Sequence, residues 1–176
     1  GNILVIAGDM CPIVDGSSMW ADAMSILLKR FEHVVYVPGN HDYFHSSFAE
    51  VGEFLPAYAR GRDNLTILVN RRCIVMGVPF VGTTLWYGHE SNGMLSCDAY
   101  HISDNEVIHP MNILGKEFLA SNIVEGDIVV THHLPTYASV AKQFVGSPIN
   151  VFFVSDCDDI IARCRPRFWF HGHTHI

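Results

Sequence analysis

"VVYVPGNHD", residues 34–42, is the stretch whose reading decides the fold. Val34–Val37 is a continuous apolar run, too short for a helix and rich in β-branched side chains. It predicts a strand buried on both faces. Pro38-Gly39 stops that strand. An amide, an imidazole and a carboxylate follow at once: Asn40, His41 and Asp42. In open α/β sheets, ligands bind at the C-terminal ends of buried strands. The stretch therefore predicts a strand that carries chemistry at its tip.

The same pattern recurs outward from it. "ILVIAG" (3–8) predicts a strand, and Gly8-Asp9 closes it. "DIVVT" (127–131) is a strand that delivers His132-His133. "RFWF" (167–170) is a strand that delivers "HGHTH" (171–175). Helical spacing fills much of the rest. Trp20, Met24, Leu27, Leu28 and Phe31 mark one helix, with Ser17 or Ser18 as its N-cap. Phe48, Val51, Phe54, Leu55 and Tyr58 mark a second. Residues 103–122 read as mostly helical, with Pro110 early in the helix or splitting it. "SDCDDIIARC" (155–164) reads as a helix capped by Ser155, with acids in its first turn. In the middle, "LTILV", "CIVMGV" and "FVGTT" leave room only for short turns, so adjacent strands are expected. Strands alternating with helices, plus that run of strands, predict a mostly parallel α/β core with a second sheet attached.

Composition narrows the function. The 176 residues suffice for one domain with a sizeable core. No apolar run reaches the roughly 18 residues of a membrane span. A formal net charge of −7 disfavours a nucleic-acid partner. The one basic cluster, Arg163, Arg165 and Arg167, reads as a solvated helix end. Five cysteines, an odd number with no C-x-x-C pair, read as buried free thiols in a reducing, cytoplasmic compartment. Histidine is abundant: eleven, as many as Lys and Arg together. Carboxylate, amide oxygen and imidazole at strand ends suit divalent Mn, Fe or Zn. The absence of a thiolate beside them disfavours a structural zinc site. The donors are enough for more than one ion, and a carboxylate such as Asp9 is able to bridge two. No Walker-type phosphate loop and no G-x-S-x-G elbow competes.

Taken in order, "GD", "GNHD", "THH" and "GHTH" resemble the calcineurin-like metallophosphoesterases, and the likeness spans nearly the whole chain. "TLW" (84–86) and the run from "VVTHHLP" to "FHGHTH" are similar to a bacterial and phage branch of that family. The resemblance implies a four-layer α-β-β-α sandwich over residues 1–176 and a centre of two divalent metal ions. Mn²⁺ is the first expectation, with Fe, Zn or Mg as alternatives. It implies hydrolysis of phosphomonoesters or phosphodiesters of a small phosphorylated substrate, with a hydroxide held between the ions as nucleophile. Asp9 would bridge the ions, Asn40, His132 and His173 would complete one shell, and His175 would serve the other. His41 would act as the acid at the leaving oxygen.

The chain departs from the family pattern at two points. The family's Asp-x-His strand before "GD" is absent because the chain begins too late, so the domain is expected to be seen incomplete at both ends, with that strand and further C-terminal strands in extensions of the native polypeptide. Where many members carry a second acid, this chain has Pro12, with Asp15 as a weak substitute. His133 and His171 read as structural, or as lying behind a ligand. Asp98, Tyr100, Asn150 and Asp156 read as scaffold. His45 and His89 sit in loops able to approach a substrate, and residues 86–100 and 137–150 are the expected specificity loops. A non-catalytic scaffold of the same fold and a mononuclear metal-binding module stand as rival readings.

Overall fold

The computed structural model describes residues 2–14, 17–88 and 96–174. Among them are two sheets. Strands β1 (Ile3–Ala7), β2 (His33–Val37) and β3 (Leu65–Ile67) form the first, all parallel in the order β1-β2-β3. Strands β4 (Arg71–Val75), β5 (Val78–Thr83), β6 (Ile128–Thr131) and β7 (Phe168–Phe170) form the second in sequence order. Only the β4–β5 hairpin is antiparallel.

The sheets stack face to face. Alternate residues of β1 and β2 (Val5, Ala7, Val35, Val37) meet Val75, Phe80 and Val130 of the second sheet in one apolar layer. The opposite side chains, Val34 and Tyr36, face helices α1 (Ser18–Arg30) and α2 (Phe48–Ala59) around the buried Trp20. On the far side, Val81 and Val129 pack against α4 (Ile108–Asn122) and α5 (Asp158–Cys164). The short α3 (Asp98–His101) follows β5 in the chain. The order is helix, sheet, sheet, helix: the expected four-layer sandwich. Burial on both faces explains the unbroken apolar runs of β2 and β3; β1 is half-buried, and Phe168 and Phe170 of β7 are exposed.

Some details differ from the sequence reading. β3 does not join the strands that follow it; it pairs with β2, and a turn carries the chain into the other sheet at β4. Ser17 occupies the N-cap position of α1, but its hydroxyl donates to the Pro12 carbonyl and caps nothing. Ser155 does not cap α5 either; Cys157 holds that place, and Ser155 receives the Asn112 amide instead. Helix α2 has a capping box that the apolar spacing did not reveal, Ser47 with Glu50. Pro110 sits in the first turn of α4, where its missing N–H costs nothing. All five cysteines are free, yet Cys97 is exposed, against the expectation of burial. No helix among the described residues is long and apolar enough to cross a membrane.

Candidate metal centre

Strand register builds the site. Ala7 pairs with Val37 at the end of the first sheet, and Val130 pairs with Phe170 at the end of the second. Asp9 lies two residues past Ala7 and Asn40 three past Val37; His132 lies two past Val130 and His173 three past Phe170. Two adjacent strand tips in each sheet thus present one polar side chain apiece. Face-to-face stacking brings the two pairs together.

The turns are tight. Gly8 and Asp9 both take positive φ, 90° and 60°. A Cβ at Gly8 would run into the His132 ring and come within 2.6 Å of the Gly39 backbone; one at Gly39 would strike the Asp9 carboxylate. The left-handed bend leaves successive amides pointing inward at the buried Asp42. Its carboxylate accepts from Gly39 (2.6 Å), Asp9 (2.9 Å), Met10 (3.2 Å) and Cys11 (3.4 Å). Burial raises the pKa of Asp42, and the Tyr36 hydroxyl and these N–H groups oppose the rise. Asp42 therefore shapes the loop that aims Asp9 and does not itself enter the cluster.

Four atoms converge. His132 Nε2 lies 2.9 Å from Asn40 Oδ1, 3.1 Å from His173 Nδ1 and 3.3 Å from Asp9 Oδ2. Their proton inventory follows from the other ends of the same groups. His132 Nδ1 faces the Ala7 carbonyl at 2.6 Å, and His173 Nε2 faces the Phe152 carbonyl at 3.3 Å. A carbonyl only accepts, so those nitrogens carry the hydrogens, and Nε2 and Nδ1 present lone pairs to the cluster. The Asn40 amide nitrogen donates to Asp98 at 2.8 Å, which turns Oδ1 inward. Four acceptors facing one another repel unless a positive charge sits among them. One proton answers at most a pair of such contacts; a divalent cation answers all four. The Asp9, His132 and His173 donor atoms all lie within 4.8 Å of one another, so the set fits a metal ion.

Electrostatics agree with that fit. Burial, then the neighbouring His132 ring, presses the pKa of His173 down to about 3, so the ring is neutral and free to ligate. Burial works to raise the pKa of Asp9, but pairing with His132 and the His41 amide outweighs it, and Asp9 stays ionised below the usual carboxylate range. The His41 N–H donates to the second Asp9 oxygen at 3.0 Å.

The remaining candidates fall around this cluster. The His41 ring stacks on Phe44, centroids 4.3 Å apart, and lines a cavity beside the donors. His133 stays outside the donor set: its ring packs on His173 at 4.2 Å and on Trp86, and its Nδ1–H donates to the Thr84 carbonyl. Its Nε2 is buried without a hydrogen-bond partner among the described residues, and burial holds its pKa well below the ordinary value. His171 bonds to the Gly172 carbonyl and stays outside the donor set. His45 packs on Phe44 and His101. His175, Asp15 and His89 lie outside the described residues. Asp98 and Asn150, read from sequence as scaffold, both line the cavity, and Asp98 orients a donor.

The family model for calcineurin-like phosphoesterases matches residues 1–176. The chain belongs to that family. No curated protein sequence matches it. Among solved structures, a phosphopantetheinyl hydrolase from Mycobacterium tuberculosis superposes with a TM-score of 0.76 at 15% identity, covering 99% of this chain and 73% of that one. At that identity the likeness establishes the calcineurin-like sandwich and nothing about substrate. Family membership implies divalent metal ions, in keeping with the converging donors.

Proposed function

We propose that this chain is a metal-dependent hydrolase of phosphoesters, and that Asp9, Asn40, His132 and His173 hold one of its ions. The observation that carries the reading is the convergence of four lone-pair atoms whose protons are fixed outward by Ala7, Phe152 and Asp98. A second ion belongs to the proposal through Asp9, with His175 as its other ligand. Divalent ions there supply Lewis acidity: they neutralise phosphoryl charge and lower the pKa of water. The chain's own residues do the rest. Asp9 and Asn40 are pre-set by backbone N–H groups and by Asp98, so the site needs no reorganisation on binding. His41, in the cavity wall beside the donors, holds a proton for the departing oxygen. Water adds to phosphorus and gives up a proton, the phosphorus–oxygen ester bond breaks, the alcohol leaves with the His41 proton, and the proton from water restores His41. Water supplies the attacking oxygen, so the reading invokes no phosphoenzyme.

The test is hydrolysis of an alkyl and a nitrophenyl phosphoester with and without chelator, in the native chain and in His41→Gln. Chelation should abolish turnover of both and Mn²⁺ should restore it. His41→Gln should bind metal as before and lose about 10²–10⁴-fold on the alkyl ester, but far less on the nitrophenyl ester. Full activity of a metal-free sample would overturn the reading, and equal losses on both esters would remove His41 from the acid role.

A further inference from the structure

A cavity of about 470 Å³ opens directly on the donor cluster. That is within the range of about 300–1,000 Å³ typical of small-molecule sites. Its two ends differ in chemistry. Asn40, His41, Asp98 and His173 form the polar end. Val140, Phe144, Ile149, Phe152 and Phe153 form the other. Among the described lining residues none is Lys or Arg, and the one carboxylate, Asp98, is already engaged by Asn40.

The apolar end comes from one segment, the loop between β6 and α5. Three short 3₁₀ turns build it: Tyr137–Ser139, Lys142–Phe144 and Pro148–Phe152. The buried Asn150 donates its side-chain amide to the Phe144 carbonyl at 2.8 Å, and a bridge between Leu134 and Val154 closes the loop's base. The loop is thus shaped by its own hydrogen bonds. Even so, Phe144 and Ile149 remain 46% and 50% exposed at the mouth. Large apolar side chains held open beside a polar cluster mark a surface that a ligand covers.

We propose, resting on the phosphoesterase reading, that the alcohol portion of the substrate is an uncharged, largely apolar chain or ring that lies in this cavity. The cavity wall is continuous with His41 and His173, so a phosphoryl group at the donors directs its ester arm onto the apolar end. A nucleoside polyphosphate would bring further negative charge into a space where no Lys or Arg among the described lining residues meets it, and burying an unpaired charge is costly. An apolar arm gains instead with every carbon it buries.

The experiment uses the Mn²⁺-loaded chain and two n-alkyl series from ethyl to octyl. The first is n-alkyl phosphates and methyl n-alkyl phosphodiesters, with released alcohol measured. The second is non-hydrolysable n-alkylphosphonates, with affinity measured by calorimetry. Both kcat/KM and affinity should rise with chain length, by up to about fourfold per fully buried methylene. Phe144→Ala and Ile149→Ser, both at the exposed mouth, should lower that increment. ATP and ADP should be poorer substrates than hexyl phosphate. Turnover that is independent of chain length, with flat phosphonate affinity, would overturn the proposal and leave the phosphoesterase reading standing. Affinity that climbs with chain length, with no ester turned over, would uphold the apolar subsite and overturn the enzyme reading. Unchanged increments in both variants would move the ester arm elsewhere and overturn the proposal.

Discussion

Asp98 and Asn40 share one hydrogen bond, and that bond decides which end of the amide faces the donors. An amide rotated by half a turn would present N–H where a metal needs a lone pair. Replacing Asp98 by Leu should therefore weaken Mn²⁺ binding by roughly 10–100-fold, the usual cost of losing a group that orients a ligand. Asp98→Asn still offers an oxygen to the Asn40 N–H and should stay near the native affinity. A calorimetric Mn²⁺ titration of both variants checks this; equal losses would mean that the charge of Asp98 matters, and not its acceptor. Asp9, Asn40, His132 and His173 were legible in the sequence because each sits within three residues of the end of an apolar strand. Asp98 was not. It lies 58 residues from Asn40, at the start of a four-residue helix, and no spacing connects the two.

Between elements, one ion pair ties the second sheet together. Arg72 on β4 reaches across β5 to Asp127, just ahead of β6, with two bonds of 2.8 Å. The same carboxylate accepts the Val124 N–H, and the Asp127 carbonyl accepts the Arg167 N–H at the entry to β7. Burial raises the Asp127 pKa, but Arg72 and Val124 more than reverse this, and it ends below the usual value. A depressed folded pKa means stability that is present above the unfolded value of about 3.9 and lost as pH falls through the folded one. Arg72→Met leaves a buried carboxylate short of its partner. Because Arg72 is one-third exposed, the loss at pH 7 should be modest, about 1–2 kcal/mol. Urea denaturation at pH 7 and pH 3 should show that gap narrowing at the lower pH. A gap that is constant or wider at pH 3 would assign the effect to packing. The sequence showed these strands as apolar runs but not their partners: β3 and β4 read alike, and only packing sends one to each sheet.

At the scale of the whole molecule, the donors belong to both halves of the sandwich. Asp9 and Asn40 come from the first sheet, His132 and His173 from the second. A cation among them is a cross-link that the unfolded chain does not possess. At a hundred times its Kd a ligand stabilises by about 2.7 kcal/mol. Each kcal/mol is worth about 2–4 °C for a chain of this size, so Mn²⁺ should raise Tm by roughly 5–11 °C. Thermal melts with Mn²⁺ and with chelator test it, with His132→Ala as the variant in which the shift should collapse. A full shift in that variant would place the stabilising ion elsewhere.

By itself, the sequence determined the layers and the polar strand tips. Unbroken apolar runs are what strands buried on both faces require, and glycine next to a ligand is what a turn with positive φ and close backbone contact requires; both are local demands written at the positions that meet them. Only the tertiary structure decided which atoms face one another. The outward protons of His132 and His173 depend on the carbonyls of Ala7 and Phe152, 125 and 21 residues away. The apolar end of the cavity depends on how three turns fold onto the strand tips. Such long-range pairings are settled by the packing of one sheet on the other, and that packing is a property of the whole chain with no signature in any single stretch of it.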